Sequence, residues 1–112
     1  MPRSRADLRF KALAIITGGD VGQVPSDEDA TALDAYIDDE VAELQTKNIV
    51  YISDLDSIEN EIFATLAQLV ANAAADEFGG KSDPQKKRYY ENEMRVIVRQ
   101  TVAYGPQETS YF

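Results

Sequence analysis

Four groups of side chains in this 112-residue chain are of types that chemistry uses. Asp38-Asp39-Glu40 is a run of carboxylates, the kind that performs general acid–base work once a pocket desolvates it and separates the pKa values. Asp54, Asp56, Glu59 and Glu61 are hard oxygen donors of the sort that bind calcium. Gly80-Lys81-Ser82 has the ending of a phosphate-binding loop. Lys86-Lys87-Arg88 followed by Tyr89-Tyr90 is the one cluster that is both basic and aromatic.

Each group meets a simpler explanation. The calcium loop pattern needs an oxygen donor at Ile58, a glycine at Glu59 and a glutamate at Thr65, so those carboxylates read better as caps at a helix start. The phosphate loop needs a glycine at Ala75, with a strand before it and a helix directly after it. Asp38-Asp39-Glu40 falls on the polar side of an amphipathic helix, where the groups are expected to be solvated. Lysines in the first turn of a helix oppose its dipole, so Lys86 and Lys87 are not there for helix stability. They read as contacts to an acidic partner or to DNA phosphate, or as solubilising charges whose stems pack.

Composition narrows the chemistry further. The chain has no Cys, no His and no Trp. Disulfides, thiol nucleophiles, thiolate zinc sites, imidazole ligands and histidine bases are therefore all excluded. We expect no enzyme, catalytic residue, metal or cofactor. Eleven basic against twenty acidic residues give a net charge of −9. That charge argues against a surface that grips nucleic acid through its phosphates. The longest apolar stretch, Ile62 to Ala75, is too short and too interrupted to span a bilayer. Met1-Pro2-Arg3-Ser4-Arg5 lacks the apolar run of a leader, so a soluble, non-secreted protein is expected.

Helices must position these groups. Ser4 with Asp7 predicts a capped helix over 5–17, ending at Gly18-Gly19. Ser26 and the carboxylates of Asp27, Glu28 and Asp29 predict a second helix start. Ala30, Leu33, Ile37, Val41 and Leu44 then form one apolar stripe. Asp34, Asp38, Asp39, Glu40 and Glu43 are assigned to the opposite face, and Lys47 and Asn48 close the helix. Ile49-Val50-Tyr51-Ile52 reads as extended or a very short strand. A third helix over 59–77 is apolar around much of its circumference, which places it at the centre. Asp83 at the N-cap and Pro84 at the first helical position start a fourth, running to about Thr101 with Tyr90, Met94, Ile97 and Val98 on one side. The expected fold is all-α, a small bundle of about four helices with one short extended segment. Residues 1–103 form the domain, and Gly105-Pro106 releases a C-terminal arm, 104–112.

Charge is segregated along the chain. Residues 1–11 carry a net +3, residues 20–61 a net −12, and residues 81–99 a net +3. An acidic middle between basic ends suits head-to-side self-association as well as two solvated faces of unlike sign.

The order of features carries a resemblance. Ser4-Arg5-Ala6-Asp7-Leu8 with Ala12-Leu13 is followed by a Gly-containing loop and an acidic amphipathic helix, Asp29 to Leu44. Ile49-Val50-Tyr51-Ile52, an acidic turn, the helix with Leu66, Ala67, Ala71 and Ala75, and Asp76-Glu77-Phe78-Gly79 come next. Over residues 4–100 this pattern resembles the tailed-phage head completion proteins, the head-to-tail connectors that stabilise packaged DNA. The resemblance implies a virion adaptor assembled in the host cytoplasm, a ring of about twelve copies under the portal protein. Such a ring extends the DNA channel without sequence-specific binding, retains the genome and docks tail or nozzle proteins. It further implies that Tyr104, Gln107, Tyr111 and Phe112 in the arm reach the portal or a neighbour. Asp34, Asp38, Asp39 and Glu40 would face a neighbouring subunit or the channel. Arg3, Arg5, Arg9, Lys86, Lys87 and Arg88 would be basic contacts. An acidic DNA mimic that inhibits a DNA-binding protein is the alternative reading of the −12 segment.

Overall fold

In a computed structural model of the chain, residues 3–17 and 26–103 are described, with side chains through Gln100. Four helices follow in order: α1, Arg5–Ile16; α2, Asp27–Thr46; α3, Asn60–Ala74; and α4, Pro84–Ala103. Among the described residues no strand forms, and the fold is all-α. No described helix is long and apolar enough to cross a membrane. The Gly18-Gly19 stop and the arm residues Tyr104, Gln107, Tyr111 and Phe112 lie outside the described residues.

The helix boundaries follow from local chemistry. At α1, Ser4 Oγ accepts from the Asp7 amide (3.2 Å) while the Asp7 carboxylate accepts from the Ser4 amide (3.0 Å), a complete capping box. At α2, Ser26 Oγ accepts from the Asp29 amide (3.2 Å), and three carboxylates sit in the first turn beside the positive end of the dipole. The C-terminus of α2 is a Schellman closure. Asn48 adopts a left-handed φ of 58°, its amide bonds Gln45 O, and the Ile49 amide bonds Leu44 O. The same turn buries Ile49 against the core. Asp83 Oδ1 accepts from the Gln85 amide (2.9 Å) to cap α4.

α3 lies at the centre, packed against α1, α2 and α4. It buries Ile62, Phe63, Leu66, Ala67, Leu69, Val70, Ala71 and Ala74. Around it close Leu8, Ala12 and Leu13 of α1, Leu33, Ile37 and Leu44 of α2, and Met94 of α4. Tyr90, Ile97 and Val98 pack against that core partly buried, on the side of α4 that the pattern assigned.

Two local expectations are corrected, and of the two readings of residues 49–52 the strand is absent. The third helix tightens into a 3₁₀ turn over Ala75–Phe78, closed by Gly79 in the left-handed region at φ 87°. Glu59 occupies the N-cap of α3 without a side-chain cap hydrogen bond, so its carboxylate is not a cap. Extended pairing occurs at an isolated antiparallel bridge between Arg3 and Ile58, with bonds of 2.8 and 2.7 Å, and not within residues 49–52. That bridge fastens the start of α1 to the entry of α3.

Candidate functional site

The first charged seam joins α1 to α2. Arg5 and Arg9 are one helical turn apart, as are Asp34 and Asp38, so each pair shares a face. Arg5 Nη1 donates to Asp38 Oδ1 (3.0 Å) and to Asp34 Oδ1 (3.4 Å), and Arg9 Nη1 donates to Asp34 Oδ1 (2.9 Å). Burial alone would lower the Arg5 pKa. The hydrogen bonds and charges of Asp38 and Asp34 outweigh it and raise the value further above neutrality. Arg3 is also occupied: its guanidinium lies over the Phe63 ring at 4.3 Å and meets Asp7 at 3.7 Å.

A second seam joins α2 to α4 and is more buried. Lys87 Nζ donates to Glu40 Oε2 (3.0 Å) and Glu43 Oε1 (2.9 Å), and stands 3.9 Å from Glu91 Oε2. Lys47 Nζ meets Glu43 Oε2 and Glu91 Oε2, each at 2.8 Å. Glu40 is only 4% exposed and its Oε1 has no hydrogen-bond partner among the described residues. Desolvation pushes the Glu40 pKa up, with Lys87 opposing. Hydrogen bonds from Lys47 and Lys87 hold the Glu43 pKa below its ordinary value. Burial would lower the Lys87 pKa, but its bonds to Glu43 and Glu40 raise it on balance.

The seams change the assignment of several residues. Glu40, expected on the solvated face, is buried in an ion cluster. It lies three residues after Ile37 and four before Leu44, on the apolar stripe itself. Lys87, read as a contact to a partner or as a solubilising charge with a packed stem, ties α4 to α2 within the chain. Asp34 and Asp38 are paired with Arg5 and Arg9, so acid and base that looked available for a neighbour meet inside one chain. Asp39, Lys86 and Arg88 are exposed and make no hydrogen bond or ion pair among the described residues.

The other chemistry-bearing motifs are absorbed by the scaffold. Asp76 accepts from the Ser82 amide (3.0 Å) and from Ser82 Oγ (3.1 Å), so the Gly80-Lys81-Ser82 turn is folded onto a carboxylate, which a phosphate would have to displace. Asn72 holds the next residue by two bonds, donating to Asp83 O and accepting from the Asp83 amide. Asp54 accepts from the Asp56 amide (2.9 Å), a local Asx turn. Residues 49–58 and the flank of α4 frame a shallow groove of about 280 Å³, lined chiefly by Val50, Tyr51, Ile52, Ile58, Ile62 and Val98. Tyr51 stands 67% exposed at its edge.

What remains outside the seams is two unlike helix faces. The outer strip of α2 exposes Asp27, Glu28, Thr31, Ala35, Asp39 and Ala42, beside Asp38 of the first seam. The outer strip of α4 exposes Arg88, Tyr89, Asn92, Arg95, Val96 and Arg99. Tyr89 is 58% exposed and set edge-on to Tyr90 with ring centroids 5.0 Å apart, and Val96 is 45% exposed. No protein-family model, curated protein or solved structure matches the chain.

Proposed function

We propose that the chain is a structural subunit of a tailed-phage virion, a head-to-tail adaptor that assembles with copies of itself under the portal and lets DNA pass. The carrying observation is the carboxylate left over after the internal pairing. Asp27, Glu28 and Asp39 stand on the outer strip of α2 without an ion-pair partner among the described residues. Such a surface repels phosphate if it faces DNA and attracts a cationic face if it meets another protein. The all-α bundle and the order of its elements agree with the family pattern described above.

The pairing also weighs against the DNA-mimic reading. A mimic presents a long row of free carboxylates to a DNA-binding partner. Here Asp34, Asp38, Glu40 and Glu43 are all engaged with cations of the same chain.

Native mass spectrometry of the protein alone, with a tailed-phage portal ring, and with a panel of DNA-binding proteins tests the proposal. The expected result is a portal complex carrying many copies of the chain. A monomer that ignores the portal and instead binds one DNA-binding protein in a salt-sensitive complex would overturn it.

A further inference from the structure

We infer that the exposed strip of α4 is a docking face for the outer strip of α2 on a second copy of this chain. The inference deepens the adaptor reading by naming the two surfaces through which copies meet. It rests on that reading only for the requirement that copies associate.

The α4 strip is unlike the rest of the surface. Lys87 and Glu91 turn inward to the cluster, and Met94 enters the core. The outward positions then hold three guanidiniums, Arg88, Arg95 and Arg99, beside two exposed apolar groups, Tyr89 and Val96. Arginine and tyrosine are the residues that anchor protein interfaces, since each combines a large contact area with a polar end. Among the described residues none of these guanidiniums has an ion pair, and only Arg95 has a hydrogen bond, to Asn92 Oδ1 at 3.1 Å. A face with this much unpaired positive charge is out of character for a chain of net charge −9.

Charge complementarity selects the occupant. α2 contains eight carboxylates and no basic residue. Its outward carboxylates flank Thr31, Ala35 and Ala42, which are small enough to admit a tyrosine or a valine from an approaching helix. The spacings also agree. Glu28 and Asp39 are eleven residues apart, as are Arg88 and Arg99, which is about 16 Å along either helix axis. Set antiparallel, with Arg88 on Asp39 and Arg99 on Glu28, the helices place Val96 opposite Thr31 and Tyr89 between Ala35 and Ala42. Within one chain α2 and α4 already touch through the Glu40–Lys87 cluster, so their outer strips are directed away from it and cannot satisfy one another. A contact of α4 on one copy with α2 on the next is heterologous. It leaves an α2 strip free at one end and an α4 strip free at the other, an arrangement that closes into a ring where the rotation between copies closes and extends as a filament where it does not.

Charge exchange tests this on the full chain. Two variants, Glu28→Lys/Asp39→Lys and Arg88→Glu/Arg99→Glu, change only exposed side chains, and circular dichroism checks that both stay helical. Sedimentation at low salt should show the unaltered protein associating, and high salt should disperse it. Each variant alone should associate at least about tenfold more weakly. An equimolar mixture should associate again, because each altered face finds an altered complement. Tyr89→Ser, which changes no charge, should weaken association on its own. A protein that stays monomeric at low salt overturns the inference, and so does a folded pair of variants whose mixture fails to recover. Restored association without binding to a portal ring would instead leave the docking faces standing and remove the adaptor reading.

Discussion

The two charged seams use the same kinds of side chain and differ in access to water. Between α1 and α2, Arg5 and Arg9 meet carboxylates that keep much of their solvent contact, Asp38 being 61% exposed. Between α2 and α4, the Glu40 side chain is 5% exposed and that of Glu91 10%. Coulomb attraction is screened at the first seam, and little desolvation has been incurred there. At the second, attraction is stronger, but each charge has lost water that its partners must replace. The second seam also has an imbalance, with Glu40, Glu43 and Glu91 against Lys47 and Lys87. One of its carboxylates, Glu40, has an oxygen that no donor reaches among the described residues. Burial therefore makes the inner seam the sensitive one, even though both hold helices together.

The largest loss of stability is expected on removing the Lys87 ammonium. Lys87→Met keeps most of the stem packing and deletes the ammonium that serves Glu40 and Glu43. A buried carboxylate left without its cation costs about 3 kcal/mol. Urea unfolding at neutral pH should show that loss, and it should shrink in acid as Glu40 takes up a proton. A loss below about 0.5 kcal/mol at neutral pH, the level of a surface pair, would mean that the two seams do not differ as described.

Residue patterns made parts of this arrangement legible and hid others. Ser4, Ser26 and Asp83 announced helix starts because a cap needs only neighbours in sequence. The apolar circumference of 62–74 announced a central helix because nothing polar interrupts its buried positions. Glu40 was misplaced for a physical reason. A carboxylate beside Asp38 and Asp39 reads as solvated, although its distance from Ile37 and Leu44 puts it on the buried stripe. Lys87 is the same case on α4, four residues before Glu91 and seven before Met94. An acid at a buried position of one helix and a base at a half-buried position of another was the available signal, but which helices adjoin is tertiary information that spacing does not carry. Arg5, Arg9, Asp34 and Asp38 find partners within the chain for that reason too. Asp27, Glu28 and Asp39 on α2 and Arg88 and Arg99 on α4 keep charges without an ion-pair partner among the described residues.

A smaller effect sharpens the inner seam by pH. The folded-state pKa of Glu40 is raised by desolvation, so its ionised form weakens the fold, and the penalty is present above that pKa and relieved below it. Glu43 has the opposite sign: its pKa is lowered by Lys47 and Lys87, and its contribution is present at neutral pH and lost as pH falls through that value. Glu40→Gln removes the surplus charge while Lys87 keeps Glu43. The variant should be more stable than the parent at pH 8, because the amide lacks the charge whose desolvation raises the Glu40 pKa. The gap should close as pH falls and the parent's Glu40 becomes neutral. A variant less stable than the parent at pH 8 would show that the Glu40 charge is a net benefit.

The weakest expected effect lies at the outer seam and depends on salt. Arg9→Ala deletes the 2.9 Å contact to Asp34, but Arg5 still reaches the same oxygen at 3.4 Å and Asp38 at 3.0 Å. Asp34 and Asp38 remain open to water, so neither is stranded in the way that Glu40 is. A partly exposed pair of this kind is worth about 0.5 kcal/mol. At an ionic strength of about 1 M the screening length falls to about 3 Å, comparable to the ion-pair distance, and most of that half-kilocalorie should vanish. Lys87→Met in the same high salt should keep most of its deficit, because the stranded Glu40 side chain is only 5% exposed. Equal salt sensitivity in the two variants would mean that water reaches both seams alike, and would remove burial as the distinction between them.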